Sequence, residues 1–446
     1  MKTNVSFYSC FFANTVRRKL NWLDRNCWLP WILILAIALR LGYVWHQPPP
    51  VLEYDAAAYR ALAASLATGK GYTGDHSYGP THWAPFTPYL LAAIYRLGGT
   101  DFVARVVWAC LSTSAIAVAF LLVRRRHGLL AANLAALGIA TYPYDILLCG
   151  STSTDIPSIL LLLSVLFFFE RWLDTGRLGD LAAFYALLGM STLNRPAVAV
   201  LALAPLISLW LSRRGHRLRS PRCLRHIGIG ICIFLVLVLP WSVRTSRIAK
   251  RPTLVTTAMA VTLWESNNPW VIDRFEGQLD GHDFFQRIDA VASNAHTISE
   301  QDEAYLGAAK SFLLSSPVKA IKLQLFKAQT FWGIPGLRGV SADKTLHRSR
   351  QFALLVGWVV WMPLFLLFVV AIADFWRDKT SGIGLYLWWT ALMFVTTIPF
   401  GGVARYRLGG PIDILVIVSV VAFLDTLANR QCNAPDRAHP AMEIGL

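Results

Sequence analysis

The side chains best suited to chemistry in this sequence are a few carboxylates and guanidinium groups placed where apolar segments end. Asp55 lies in VLEYDAAAYRALAASLATGKGYT and heads an apolar stripe, because Tyr59, Leu62 and Leu66 share one helical face with it at i+4 and i+3 spacing. A carboxylate so placed takes a proton from an attacking group if it points into a cleft, or it complements the positive end of its own helix. Asp155, in STSTDIP, is the second acid and also reads as a helix cap; Asp145 is the third. Arg405 and Arg407 flank Tyr406 in GGVARYRLGG, and their planar forks match phosphate oxygens, on a substrate or on lipid headgroups. Arg195 in LNRP has a single Pro after it and needs only headgroups to explain it. His76 and His82 lack a tight metal-ligand spacing and read as loop residues. Lys319, Lys322 and Lys327 read as a solvated or membrane-facing helix face. No Gly-rich phosphate loop is present, which excludes a nucleotide-sugar domain of the dinucleotide-binding type.

The elements that must position these groups are membrane helices. The chain has 446 residues, of which 55% are hydrophobic and 15% charged, with a mean hydropathy of +0.46. Soluble domains are about a quarter charged, so much of this chain must be solvated by lipid. The net charge of +16 is topological rather than a nucleic-acid footprint: RRRHG at 124–128 and the six Arg of 213–226 mark cytoplasmic ends. Seven Cys are present and none falls in 244–350, so no disulfide framework is implied there. The first apolar run lacks a small-residue cleavage site and reads as an uncleaved span.

Taken in order, the pattern predicts an all-α polytopic membrane protein of about ten transmembrane helices. They fall at 28–46, 102–123, 129–148, 152–171, 180–193, 197–212, 227–243, 352–373, 383–400 and 409–427. Arg40 lies within the first, in snorkelling reach of the outer surface. Residues 1–243 make an N-terminal module whose first outward loop, 47–101, carries amphipathic surface helices. One of these runs from about Thr87 to Leu97 between Pro88 and the stop at Gly98 and Gly99. Residues 244–350 form an outward, mainly helical or mixed domain, with a helix capped by Ser299 and Asp302 and another restarting at Pro317. Residues 351–428 return to the membrane, and 429–446 form a tail. Both termini lie on the cytoplasmic side. No internal repeat is visible, which counts against a secondary transporter.

The order of motifs resembles a known family. Asp55 is followed by GKGY, then APFTPYLLAAIYRLGG, an acid after a Tyr-Pro turn, LNRP, PWSVR, SNNP and RYRLGGP. This is similar to bacterial membrane glycosyltransferases of the GT-C superfamily, in the branch related to protein O-mannosyltransferases and aminoarabinose transferases. The resemblance implies inverting transfer of a hexosyl or pentosyl group from a polyprenyl-phosphate carrier to a glycan, lipid or protein acceptor, at the outer face of a bacterial inner membrane. On that pattern Asp55 is the first-loop acid and Asp155 the second. Arg244, Arg405 and Arg407 lie near the lipid phosphate, and Tyr59, Arg195, Asn267 and Asn268 near substrate. Many relatives carry an Asp-Glu pair in the first loop, whereas Ala56 follows Asp55 here; the partner acid is then Glu53 or absent, and a divalent metal is left open. The alternative function is a transporter or flippase of lipid-linked sugars, which would place polar groups at mid-membrane rather than at span ends.

Overall fold

The computed structural model describes residues 26–46, 55–73, 79–211, 221–333, 355, 357–378, 383–401 and 411–432. Among them every regular element is a helix. The chain opens with α1 (Leu29–His46), α2 (Asp55–Ala67), α3 (Phe86–Arg96), α4 (Asp101–Ala140) and α5 (Pro143–Leu148). There follow α6 (Asp155–Thr175), α7 (Leu178–Asn194), a 3-10 turn (Pro196–Leu203), α8 (Ala204–Leu211) and α9 (Pro221–Ala249). A helical domain comes next: α10 (Ala258–Ser266), α11 (Val271–Glu276), α12 (Gly281–Ala290), α13 (Ile298–Ser315) and α14 (Pro317–Trp332). The last helices are α15 (Met362–Arg377), α16 (Gly384–Thr397) with a short turn (Ile398–Phe400), and α17 (Ile412–Cys432).

Among the described residues six helices are long and apolar enough to cross a membrane: α1, α4, α6, α9, α15 with the turn before it, and α17. The chain is a multi-pass, all-α membrane protein. The other expected passes fall on the second half of α4 with α5, on α7, and on the shorter apolar helices Pro196–Ser208 and Gly384–Phe400. Expected passes 102–123 and 129–148 share α4, broken at Gly128, whose φ of 80° is open to glycine without strain.

A single apolar core runs through the bundle, with Trp108, Trp172, Tyr185 and Tyr386 fully enclosed. Inside it Arg40 is 0% exposed, where snorkelling would have left it at the surface. It ion-pairs with Asp145, and its Nε donates to Ser112 Oγ at 2.7 Å while Nη1 donates to the Ala140 carbonyl at 3.0 Å. An ammonium or guanidinium near a helix end escapes to water unless a partner is nearer, and Asp145 is nearer. That pairing also commits the third acid to structure.

The first-loop helices match their expected places. The stripe of α2 is buried at Tyr59, Leu62, Ala63 and Leu66, and it packs on α3 rather than lying free on a bilayer. Gly98 closes α3 at φ 80°, and a Cβ at Gly99 would come within 2.6 Å of Ile94 Cγ2. Helix α9 continues past PWSVR to Ala249, so Arg244 sits on a helix and not at the start of a loop. The helical domain has its own core of Val261, Trp264, Val271, Phe284, Ile288 and Leu323. Its capping box lies two residues earlier than expected. Thr297 is extended and accepts from the Glu300 N–H at 3.2 Å, whereas Asp302 is buried and ion-paired with Arg251.

Candidate functional site

Asp55 is the first residue of α2, within electrostatic reach of the end of α10. Tyr59, one turn on, stands edge-on to Trp83 at 5.2 Å between ring centroids. The first loop is held by Arg244. Its Nη1 donates to the Pro80 carbonyl at 3.1 Å and its Nη2 to the Tyr72 carbonyl at 3.0 Å, while the guanidinium lies over the Trp241 ring at 4.5 Å. Arg244 therefore spends hydrogen bonds on loop backbone. Thr81 joins the same loop to the helical domain: the Thr257 N–H donates to its carbonyl at 2.9 Å, and the two hydroxyls lie 3.1 Å apart.

The carboxylate that answers Asp55 is Glu265, on the last turn of α10. Burial, then the charges of Asp55 and Asp289, push the Glu265 carboxyl up to about 7. Asp289 is itself raised by burial, and Tyr305, hydrogen-bonded to it, is pushed up to about 12 by burial and by the charges of Asp289 and Glu265. Glu265 escaped notice in the sequence because it stands alone in the apolar segment AMAVTLWES; a charge there, immediately before SNNP, was the available signal. Glu53, the other candidate partner acid, lies outside the described residues.

Asn267 and Asn268 fix the end of α10. Asn267 Nδ2 donates to the Leu263 and Pro399 carbonyls at 2.7 and 2.8 Å, and Ser266 Oγ donates to the Phe400 carbonyl at 2.8 Å. Asn268 Nδ2 donates to the Trp264 carbonyl at 2.8 Å and its Oδ1 accepts from the Trp270 N–H at 2.9 Å. Both Asn side chains are buried and engaged in this way. Lys319 and Lys322 are exposed as expected, but Lys327 is not; it is 1% exposed and points at Asn267. The stripe Ala320, Leu323, Lys327 and Phe331 is an inward face with a lysine in it, which helical spacing alone does not distinguish from an outward one.

Asp155 belongs to a second cluster in the bundle. It is the first residue of α6 rather than its cap; it accepts from Ser153 Oγ at 2.8 Å and ion-pairs with Arg195. The neighbouring Asn194 donates to the Thr154 carbonyl at 3.0 Å and to Ser158 Oγ at 2.8 Å, and accepts from Thr87 Oγ1 at 2.7 Å. LNRP thus ties the starts of α3 and α6 together. Tyr142 donates to Asp413 at 2.5 Å, which joins the turn between α4 and α5 to α17. Arg405, Arg407 and His76 lie outside the described residues. Among the described residues no three His, Cys, Asp or Glu side chains converge on a metal site.

Residues 80–243 match the protein family described as dolichyl-phosphate-mannose-protein mannosyltransferase. That match bears out the resemblance drawn from the motifs and covers α3 through most of α9, including Asp155 and Arg195. Among solved structures, the oligosaccharyltransferase AglB from Archaeoglobus fulgidus, in complex with an inhibitory peptide and a dolichol-phosphate, superposes with a TM-score of 0.50 at 15% identity, over 90% of this chain and 50% of that one. The Archaeoglobus fulgidus oligosaccharyltransferase tethered with an acceptor peptide gives 0.51 at 14% identity, with the same coverage. ArnT from Cupriavidus metallidurans, bound to undecaprenyl phosphate, gives 0.46 at 15% identity, over 90% of this chain and 77% of that one. This chain spans half the length of the archaeal enzyme, whose fold it shares. Among curated proteins, no sequence matches.

Proposed function

We propose that the protein transfers a sugar from a polyprenyl-phosphate carrier to an acceptor at the Asp55 end of the bundle, facing the periplasm of a bacterial inner membrane. The observation that carries this reading is the mannosyltransferase-family match over residues 80–243. The archaeal neighbour's bound dolichol-phosphate and peptide suggest the two substrate classes, a lipid phosphate and an acceptor.

In the proposed reaction an acceptor hydroxyl or amine attacks the anomeric carbon from the face opposite the phosphate. The bond to the phosphate oxygen breaks with its electron pair, so the anomeric centre inverts. Asp55 takes the acceptor's proton as it attacks. Glu265, which lies within electrostatic reach and keeps its own proton to about pH 7, gives that proton to water and then accepts the one Asp55 has taken. Arg405 and Arg407 neutralise the departing polyprenyl phosphate, their forks suiting two oxygens each. Arg244 holds the first loop over this space, Tyr59 borders it, and Asn267 and Asn268 hold the helix that carries Glu265. Asp155 pairs with Arg195 at the start of α6, in the second cluster. The donor is a hexosyl or pentosyl phosphate lipid, and the acceptor a glycan, lipid or protein.

The test is to incubate the full chain in lipid nanodiscs with a panel of radiolabelled polyprenyl-phosphate sugars and candidate acceptors. Transfer yields a labelled acceptor and free polyprenyl phosphate. A transporter or flippase would instead move labelled lipid across proteoliposomes and leave its sugar attached, and that outcome would replace this reading.

A further inference from the structure

Helix α14 carries a lysine that neither a solvated face nor phosphate binding explains. Lys327 Nζ donates to Asn267 Oδ1 at 3.0 Å, to the Ile398 carbonyl at 3.2 Å and to the Pro399 carbonyl at 3.5 Å. All three partners are neutral oxygens, and together they match the three N–H bonds of an ammonium. Asn267 Oδ1 also accepts from Gln324 Nε2 at 2.9 Å, one turn earlier on the same helix. The knot joins three segments far apart in sequence: α14, the end of α10, and the turn after α16.

Burying an ammonium without a counter-ion is costly, and an apolar side chain of similar length would pack there at less cost. A lysine is needed where one group must reach two backbone carbonyls and a side-chain amide at once. Burial drives its proton affinity down to about 7, so the neutral amine is accessible to it near neutrality. What the knot holds is informative. Asn267 is two residues from Glu265 on the same terminal turn, and Ser266 between them is bonded to the Phe400 carbonyl at 2.8 Å.

We propose that Lys327 is a positioning residue for the transfer: through Asn267 and the carbonyls of Ile398 and Pro399 it fixes the end of α10, and so holds the Glu265 carboxyl facing Asp55. The inference rests on the reading of Asp55 and Glu265 as the reacting carboxylates. Besides Asp55, the titratable groups around Glu265 among the described residues are Asp289 and Tyr305, both carried by the helical domain.

The test compares the full chain in nanodiscs as wild type, Lys327→Met and Lys327→Gln, by amide hydrogen exchange and by transfer kinetics. In Lys327→Met the amides of Glu265 to Asn268 lose protection, kcat falls about tenfold to a hundredfold with donor KM little changed, and the pH midpoint of kcat moves toward the ordinary carboxylate range. Lys327→Gln, which keeps a neutral donor, restores most of the protection and rate. Should Lys327→Met fail to assemble, Gln324→Leu removes only the second donor to Asn267, and its smaller losses are expected in the same places. Unchanged protection in these variants overturns the clamp. Lost protection with an unchanged kcat and pH midpoint overturns the positioning role. If the wild type transfers no sugar, the proposed function falls, and the exchange comparison alone decides whether the clamp exists.

Discussion

Glu265 and Lys327 are driven by burial toward the same pH from opposite sides, about 7 for each. The folded chain keeps the Glu265 proton between its ordinary value of 4.5 and about 7, where the unfolded chain has lost it. Stability therefore falls as pH rises through that window. The folded chain has lost the Lys327 proton between about 7 and 10.5, where the unfolded chain still holds it, so stability rises again there. These two groups together predict a stability minimum near pH 7, with limbs of at most about 3 kcal/mol on the acid side and about 5 kcal/mol on the alkaline side. Thermal midpoints in nanodiscs from pH 4.5 to 10 measure it. Glu265→Gln should remove the acid limb and Lys327→Met the alkaline one; limbs that survive these substitutions belong to other groups. The two residues show what residue-level reading misses. The helix start at Asp55 was legible because an acid breaks an apolar pattern there, but Glu265 and Lys327 gain their character only from segments brought together by folding.

At the scale of elements, the helix ends carry the polar work. Asn194 closes α7 by bonding Thr87, Thr154 and Ser158. Asn194→Leu should leave those buried groups without it and cost about 2–4 kcal/mol, read as a lowered thermal midpoint, with α3 the first segment to gain hydrogen exchange. An unchanged midpoint would mean water replaces the amide. Buried charge behaves likewise in the pair of α1 and α5. Arg40→Leu strands the Asp145 carboxylate and should cost about 3–5 kcal/mol, while the double change Arg40→Leu with Asp145→Leu should recover much of that. A double variant no better than the single would show that Arg40 acts mainly through its bonds to Ser112 and the Ala140 carbonyl. Helix α3 could be placed from sequence because Pro85, Pro88 and Gly98 punctuate it. The capping box of α13 slipped by two residues because Ser299 and Asp302 have the right types at the right spacing, but Thr297 and Glu300 do as well. Spacing leaves that choice open, and the ion pair of Asp302 with Arg251 settles it.

Across the whole molecule, lipid-length helices place the polar side chains at their ends, and two bridges tie the far parts of the chain to the first-loop end. Asn267 and Ser266 reach the turn after α16, and Tyr142 reaches the start of α17. The polytopic class and the order of passes were legible because hydropathy is local. The shorter passes at Pro196–Ser208 and Gly384–Phe400 show why the count is less so, since helices packed inside a bundle need not each cover the full hydrocarbon thickness. The account's central claim is that Asp55 takes the acceptor proton as sugar leaves a polyprenyl phosphate. The direct measurement is a single-turnover comparison of wild type and Asp55→Asn, in nanodiscs, with the labelled donor that the wild type uses and with lipid binding measured alongside. The account predicts that Asp55→Asn binds the donor as the wild type does but transfers sugar about a hundredfold to ten-thousandfold more slowly. Transfer at the wild-type rate would contradict it.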